Sequence, residues 1–241
     1  MRIAFISDIH GNYVSLETVL ADINREQVDQ VICLGDVANL GSHPREVVEC
    51  LRALDCPCVM GNHELYLLNP DLPPEFPKWV KEVTEWCRGE LAADLDYLRS
   101  FPPLIEISLD SQATLLCCHG SPRSNMDLML ANTQNAALDE MLAGHLTTVM
   151  VCGHTHEQML RQHKGMIIVN TGSVGQPFEM PWFPNSEPCF LPWTEYAIIN
   201  WANGSLNVEL RHIPIDLNAI KHAALTSNMP GADYWVTLWN V

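Results

Sequence analysis

The stretch VMVCGHTH, residues 149–156, decides the fold, because it joins four apolar residues to a glycine and to two histidines one residue apart. A short apolar run that ends at glycine is typical of a fully buried strand. The histidines that follow it, His154 and His156, have two interpretations at this point. They are a chance pair in which each ring binds a nearby carbonyl group, or they belong to a site at the end of the strand.

Four other apolar runs end in the same manner, in polar residues that suit a metal site. These runs lead into DIH at 8–10, GD at 35–36, GNHE at 61–64 and HG at 119–120. Ligands of open α/β sheets bind beyond the carboxyl ends of the strands, so these polar residues are expected to meet on one face. Residues one apart on an extended segment project to the same side, which lets Asp8 and His10 face one ion. The candidate metal ligands are therefore Asp8, His10, Asp36, Asn62, His119, His154 and His156.

The size of this set indicates more than one metal ion. It is too large for a single tetrahedral ion, but it suits a pair of ions if one carboxylate, which we take to be Asp36, bridges them. A mixed set of nitrogen and oxygen donors admits Mn, Fe, Co, Ni or Zn. The sequence therefore predicts two divalent metal ions and leaves their identity open.

The order of apolar and helical patterns in the first half predicts an α/β domain. Strands at 3–7 and 30–34 alternate with helices at 13–24 and 44–54, and a third strand is predicted at 56–60. Units of this kind give parallel strands joined by right-handed crossovers.

The second half adds further elements without an evident linker. A helical excursion at 75–100 is followed by strands at 104–109, 114–118, 149–152 and 166–170, with a helix near 133–143. The Asn-Gly pair at 203–204 predicts a hairpin over 196–213. Residues 214–241 form a C-terminal tail that is expected to pack on the domain or on a second subunit. We therefore expect a single domain over 1–241 and leave a homo-oligomer open.

The composition restricts the partners and the compartment. The formal net charge is −16, from 29 acidic and 13 basic side chains, so long-range repulsion disfavours nonspecific binding to nucleic acids and anionic membranes. No run approaches the roughly 20 apolar residues of a membrane-spanning helix, and the N-terminus does not have the pattern of a signal peptide. The nine cysteines include no Cys-x-x-Cys pair, which favours reduced, buried thiols. These features predict a soluble cytoplasmic protein.

The five motifs, in this order over residues 8–156, strongly resemble those of the calcineurin-like metallophosphoesterases, and within them the bacterial phosphodiesterase-like branch. The resemblance implies a four-layer αββα sandwich. It also implies that one ion is held by Asp8, His10, Asp36 and His156, and the second by Asp36, Asn62, His119 and His154. His63 then corresponds to the catalytic histidine of the family. Glu64 is expected either to orient the imidazole of His63 or to be a solvated loop acid.

The implied reaction is hydrolysis of a small phosphodiester or nucleotide-like compound by a metal-activated hydroxide. Related protein phosphatases and diadenosine tetraphosphatases carry arginines in Gly-Asp-x-x-Asp-Arg-Gly and Arg-Gly-Asn-His-Glu, whereas this chain has GDVANLG at 35–41 and VMGNHE at 59–64. The missing arginines disfavour one alternative, a phosphomonoesterase or protein phosphatase. A second alternative is a non-catalytic scaffold such as the retromer subunit of this fold, and the presence of His63 and of all the ligands disfavours it.

Three candidates for substrate binding lie outside these motifs. Phe178 stands where the bacterial branch often has arginine after Gly-Ser-Val-Gly-Gln-Pro. Arg123 is expected to contact the phosphate or to be an ordinary surface arginine. Trp182 belongs to a loop at 179–195, rich in proline and aromatic residues, which is expected to be a lid over the site or an interaction surface. The expected partner is a small phosphoester substrate.

Overall fold

Two mixed β-sheets form the centre of the computed structural model, which describes residues 1–69, 71–178 and 188–239. Within these residues the strands are β1 (Arg2–Ile6), β2 (Gln30–Cys33), β3 (Ile105–Ser108), β4 (Thr114–Cys117), β5 (Val149–Cys152), β6 (Met159–His163), β7 (Met166–Asn170), β8 (Trp193–Ala202) and β9 (Ser205–Pro214). The first sheet has the strand order β2-β1-β8-β9, and the second has the order β3-β4-β5-β7-β6. β1 and β2 are parallel, as predicted, and β5 is parallel to both of its neighbours.

Local signals mark the starts of some of the helices. They are α1 (Tyr13–Glu26), α2 (Pro44–Ala53), α3 (Asn62–Leu68), α4 (Lys78–Glu90), α5 (Leu95–Arg99), α6 (Asn135–Leu142), α7 (Leu217–Thr226) and α8 (Ala232–Trp235). The side chain of Asn12 accepts the Ser15 N–H at 3.1 Å and caps α1, while Pro44 opens α2. In the parts of the chain that the structure describes, the helices are too short or too polar to cross a bilayer.

The alternation of side chains along the strands places one apolar cluster between the sheets and one on each outer face. Phe5 of β1 and Val151 of β5 belong to the cluster between the sheets. Ala4, the neighbour of Phe5, belongs to the cluster under the helices of the first sheet. Met150 belongs to the cluster formed with Leu138 of α6 on the second sheet. The layers are therefore helix, sheet, sheet and helix, which confirms the predicted αββα sandwich.

The third strand predicted at 56–60 is reduced to a single bridge between Cys33 and Cys58. The Cys33 N–H donates to the Pro57 carbonyl at 2.9 Å, and the Val59 N–H donates to the Cys33 carbonyl at 3.0 Å. Pro57 has no N–H with which to extend this ladder. The predicted strand is wrong beyond this bridge.

Two elements near the loops of the site, β6 and α3, cannot be predicted from a periodic pattern of apolar residues or from the length of an apolar run. β6 has the sequence MLRQH and pairs antiparallel with β7, and only its two end residues are buried. α3 starts inside the GNHE motif and has seven residues. Short elements such as these depend on tertiary contacts, because an isolated helix or hairpin of this length is marginal in water.

The hairpin and the C-terminal segment agree better with the sequence. Asn203 and Gly204 connect β8 to β9 with φ values of 53° and 73°, the left-handed conformation that favours Asn-Gly in such turns. Near the end of the described chain, Trp239 is buried and packs edge-on against Phe190 with ring centroids 5.1 Å apart. This part of the tail therefore packs on the chain's own core.

The helical excursion consists of α4 and α5. Val83 and Cys87 of α4 are buried, whereas Trp79 and Trp86 are half-buried. A polar residue, Thr84, is fully buried among them. A buried hydroxyl requires a hydrogen-bond partner. The Thr84 hydroxyl donates to the Val80 carbonyl of its own helix, and its oxygen accepts from the side chain of Asn39, in the loop that contains Asp36.

Candidate metal centre

All seven predicted ligands lie where loops from both sheets meet. Asp8 and His10 follow β1, Asp36 follows β2, Asn62 begins α3, His119 follows β4, and His154 and His156 follow β5. Main-chain hydrogen bonds continue past the strand ends, since the Asp8 N–H donates to the Gly35 carbonyl at 3.0 Å. The Gly175 N–H donates to the Asp8 carbonyl at 2.9 Å and links the sheets at this edge. These bonds bring together side chains that are far apart in the sequence.

The side chains form two donor groups with Asp36 between them. Within each group the candidate ligand atoms lie within 4.8 Å of one another, and the groups are Asp8, His10 and His156, and Asp36, His119 and His154. Asn62 joins the second group, because its Oδ1 lies 2.9 Å from Nε2 of His119. Oδ2 of Asp36 lies 3.3 Å from Nε2 of His119 and 3.8 Å from Nε2 of His10. Asp36 is therefore positioned to contribute to both groups.

Main-chain carbonyls orient three of the imidazoles. Nδ1 of His10 lies 3.0 Å from the Asn39 carbonyl, Nδ1 of His119 lies 2.7 Å from the Leu34 carbonyl, and Nδ1 of His156 lies 2.6 Å from the Gln176 carbonyl. A carbonyl oxygen only accepts, so each Nδ1 carries a hydrogen and each neutral ring presents a lone pair at Nε2. This support is the arrangement that protein metal sites use to orient histidine ligands.

The donor atoms at the first group need a cation between them. Nε2 of His10 and Nε2 of His156 lie 3.1 Å apart, so two lone pairs face each other. Oδ1 of Asp8 lies 3.3 Å from Nε2 of His156, is buried, and has no hydrogen-bond partner. Lone pairs and a carboxylate oxygen that converge without a donor fit a divalent metal ion.

Both carboxylates use one oxygen for support and leave the other for the centre. Oδ2 of Asp8 accepts the His154 N–H at 2.9 Å, and Oδ1 of Asp36 accepts the His63 N–H at 2.8 Å. Position 61, in the loop beside Asp36, requires glycine, because a Cβ there would lie 2.1 Å from Oδ1 of Asp36. The absence of a side chain at Gly61 therefore allows the two loops to approach closely at this site.

Five of the predicted ligands have left-handed backbone conformations. The φ values are 52° for Asp8, 48° for His10, 54° for Asp36, 70° for His154 and 56° for His156. Residues other than glycine rarely adopt such values, and backbone strain of this kind tends to cluster at functional sites. The loops therefore adopt a backbone conformation that costs free energy locally but turns these side chains toward the centre.

Burial and the neighbouring carboxylates shift the pKa values of the imidazoles in opposite directions. Burial lowers the pKa of His10 to about 3 and that of His154 to about 4. Burial also acts to lower the pKa of His119, but the adjacent Asp36 carboxylate raises it to about 10. Burial acts to raise the pKa of Asp36, but the neighbouring His119 and His63 hold it well below its usual range. The carboxylates thus draw positive charge into the centre, which a proton or a metal ion can supply.

His63 lies beside the two donor groups. Its ring is edge-on to His10, with centroids 4.9 Å apart, and one of its nitrogens lies within 4.8 Å of donor atoms of His10 and Asp36. Its Nδ1 lies 3.0 Å from the side-chain amide of Asn39. Asn39 is not among the residues predicted from the sequence, because this contact joins two loops that are 24 residues apart.

Glu64 has a different role from both of those expected for it. It is fully buried, and its carboxylate accepts the main-chain N–H groups of Asp36 at 2.7 Å, Val37 at 2.8 Å and Gly61 at 2.9 Å. Burial raises its pKa to about 7. Glu64 therefore holds two ligand-bearing loops together, rather than orienting the ring of His63 or facing solvent.

Arg123 and Phe178 lie in contrasting environments. The guanidinium of Arg123 forms a two-point contact with Asp127, at 2.9 and 2.7 Å. Phe178 stacks on the ring of His156, with centroids 4.7 Å apart. The geometry thus favours the surface-arginine alternative for Arg123 and places Phe178 at the centre. Trp182 lies outside the described residues, as does the rest of 179–187.

An aromatic row that sequence analysis missed extends outward from His63. The ring of Tyr66 is edge-on to His63 at 5.2 Å, and Phe76 is edge-on to Tyr66 at 5.0 Å. The Tyr66 hydroxyl donates to Sδ of Met126 at 3.4 Å. Tyr66 follows His63 by three residues, so both lie on one face of α3. The three-residue spacing of His63 and Tyr66 indicates a shared face only once it is known that both residues lie on the short helix α3.

Known proteins are similar to this chain over most of its length. Residues 1–183 match the family model described as the calcineurin-like phosphoesterase superfamily domain. An uncharacterised protein of Methanocaldococcus jannaschii is 31% identical over 191 residues, which are 73% of this chain and 76% of that protein. The crystal structure of a metallophosphoesterase from Sphaerobacter thermophilus has a TM-score of 0.73 and 28% identity, and the match covers 99% of this chain and 98% of that one. The symmetrical bis(5'-nucleosyl)-tetraphosphatase of Sodalis glossinidius is 30% identical over 135 residues, which are 54% of this chain and 47% of that enzyme.

Proposed function

The chain belongs to the calcineurin-like phosphoesterase superfamily, and we propose that it is a two-metal phosphodiesterase that hydrolyses a small phosphodiester or nucleotide-like compound. The observation that carries this proposal is the pair of donor groups on either side of Asp36. One ion would be held by Asp8, His10, Asp36 and His156, and the other by Asp36, Asn62, His119 and His154. When bound, divalent ions of this kind lower the pKa of a coordinated water and offset negative charge on phosphoryl oxygens.

We also propose that residues 1–241 form a single domain. The matched family region ends at residue 183, whereas β8 and β9 follow it in the chain. Both strands complete the first sheet, in which β8 pairs with β1. β1 leads directly into the Asp8 loop, so the later strands support the candidate centre.

The proposed role of His63 is contact with the substrate. Asn62 and the N-terminus of α3 place its ring next to the donor groups, and its side chain is less buried than those of His10 and His119. A hydrogen bond from its imidazole to a phosphoryl or leaving-group oxygen would stabilise charge that develops in the transition state.

The surroundings of the site favour a diester over a monoester. A monoester dianion presents one more negative charge than a diester. Relatives that carry the two phosphatase motifs have arginines that can offset this additional charge. Here the sequence lacks both arginines, Asp127 engages Arg123, and Phe178 presents an apolar ring beside His156. With Mn²⁺ supplied, we expect kcat/KM for bis-p-nitrophenyl phosphate to exceed that for p-nitrophenyl phosphate by at least about tenfold, or about 1.4 kcal/mol of transition-state stabilisation.

Steady-state kinetics on one metal-loaded preparation decide this preference. A faster monoester reaction would favour the phosphomonoesterase alternative. Hydrolysis of neither ester under any of the five candidate metals would favour the non-catalytic scaffold.

The aromatic row is the proposed binding surface for the organic group of the diester. Tyr66 lies one helical turn from His63 and is flanked by Phe76 and Met126, so an aromatic or nucleobase group held near His63 would contact it. We expect Tyr66→Ala to lower kcat/KM for the diester by about 3- to 10-fold, because aromatic contacts contribute about 0.5–1.5 kcal/mol.

Matched variants separate this effect from a general loss of structure. Tyr66→Phe keeps the ring and should stay near the wild-type rate. Trp193→Ala should also stay near the wild-type rate, because the contacts of Trp193 are with other residues than those of the aromatic row. Its indole N–H donates to Glu195 at 2.8 Å, and its ring stacks on His212. Wild-type diester kinetics in Tyr66→Ala, or an equal loss in Trp193→Ala, would contradict the proposed surface.

A further inference from the structure

The histidines of the centre differ in what their Nδ1 atoms contact. In His10, His119 and His156, Nδ1 lies against a main-chain carbonyl, which can only accept. In His63, Nδ1 lies 3.0 Å from the side-chain Nδ2 of Asn39. The orientation of this one amide group therefore determines where His63 carries its hydrogen.

Two other contacts determine the orientation of the Asn39 amide. Its Oδ1 accepts the Leu40 N–H at 3.0 Å, and a main-chain N–H only donates. Its Nδ2 lies 3.0 Å from Oγ1 of Thr84, whose own hydroxyl donates to the Val80 carbonyl at 2.8 Å. The Thr84 oxygen must therefore accept from Asn39. The group that faces His63 is the NH₂ of the amide, which is a donor.

A donor at Nδ1 determines the state of the imidazole. Nδ1 of His63 must accept, so it holds the lone pair and the hydrogen of the neutral ring lies on Nε2. An imidazolium would place a second N–H directly against the NH₂ of Asn39. His63 is thus an N–H donor through Nε2, whereas the neutral rings of His10, His119 and His156 present lone pairs at the same atom.

We propose that Asn39 is a positioning residue that holds His63 as a neutral hydrogen-bond donor and thereby selects phosphoesters whose leaving groups depart without accepting a proton. This inference rests on the proposed function. A neutral imidazole that released its Nε2 hydrogen would become an imidazolate, so His63 stabilises an oxygen of the substrate by a hydrogen bond and transfers no proton. Phosphoanhydrides and aryl esters have acidic leaving groups, which depart as anions without being protonated. The leaving group of an alkyl ester is a strongly basic alkoxide, which needs a proton to depart. The site is therefore suited to phosphoanhydride or aryl ester bonds.

The backbone and the side chain of Asn39 have separable roles. Its carbonyl supports the predicted ligand His10, and its amide supports His63. A side-chain substitution leaves the carbonyl in place, so Asn39→Ala is expected to keep the metal content and to lower kcat by about 10- to 100-fold, the range for residues that orient groups of a metal site. Thr84→Val removes one anchor of the amide without contacting His63 and should cause a smaller loss.

Nitrogen-15 NMR of the zinc-loaded protein tests the tautomer without reference to activity. The ring signals of His63 are identified by their absence in His63→Gln. We expect a hydrogen on Nε2 and none on Nδ1 in the wild type. In Asn39→Asp the carboxylate can only accept and supports an imidazolium, so a hydrogen is expected on Nδ1 as well as on Nε2. A wild-type His63 with its hydrogen on Nδ1 would overturn the inference.

A series of methyl aryl phosphodiesters with graded phenol acidity tests the selectivity. In the wild type, kcat/KM is expected to fall by at least about tenfold from the nitrophenol ester to the phenol ester. Asn39→Asp should show a shallower fall, because its carboxylate supports an imidazolium that can protonate the leaving oxygen. A shallow fall in the wild type would also overturn the inference. Hydrolysis of no ester, combined with a hydrogen on Nε2, would instead contradict the proposed function and leave the assignment of Asn39 intact.

Discussion

His63→Ala is expected to lower kcat for the diester by about 100- to 1,000-fold while the protein keeps both metal equivalents. The size of the loss follows from removing a hydrogen-bond donor aimed at charge that develops in the transition state. The metals should remain, because Nδ1 of His63 contacts Asn39 and the two donor groups do not require its ring. Activity and metal content are to be measured on the same preparation.

The measurement of metal content matters because His63 also lies within 4.8 Å of donor atoms of His10 and Asp36. Loss of one metal equivalent in His63→Ala would make His63 a ligand. Wild-type activity would remove it from the reaction. His222→Ala, which changes an exposed histidine on α7, is the matched control and should alter neither quantity.

Asp36→Asn is expected to weaken metal binding at both positions by more than about 100-fold, since even residues that only orient ligands change affinity by 10- to 100-fold. Its Oδ2 lies 3.3 Å from Nε2 of His119 and 3.8 Å from Nε2 of His10, so the substitution removes charge from both groups at once. Asn keeps the size of the side chain and an oxygen that can accept the His63 N–H. Folding should therefore survive the change.

His10→Ala is the comparison variant, and it should mainly affect the group that contains Asp8 and His156. Calorimetric titration of each metal-free protein gives the number and affinity of the sites. The metal-dependent rise in melting temperature, which follows from binding to the folded state alone, gives an independent readout. One site lost and the other unchanged in Asp36→Asn would contradict the bridging role.

Several features of the fold and site are predictable because their causes are local. The apolar runs before Asp8, Asp36, His119 and His154 predict buried strands, and each polar residue lies in the loop that follows its strand. Asn12, Pro44 and the Asn-Gly turn act within a few residues of themselves. The predicted strand at 56–60 fails because Pro57 cannot donate to the edge of β2, a consequence of pairing rather than of apolar content.

The sequence by itself determined which residue types stand at the strand ends, in which order, and which of them can donate to a metal ion. Only the tertiary structure decided what each of those groups does. Glu64 binds three main-chain N–H groups, Phe178 stacks on His156, and the amide of Asn39 faces His63. The physical reason is that a polar side chain takes its role from the donor or acceptor opposite it, and here several of those partners come from other loops and from α4.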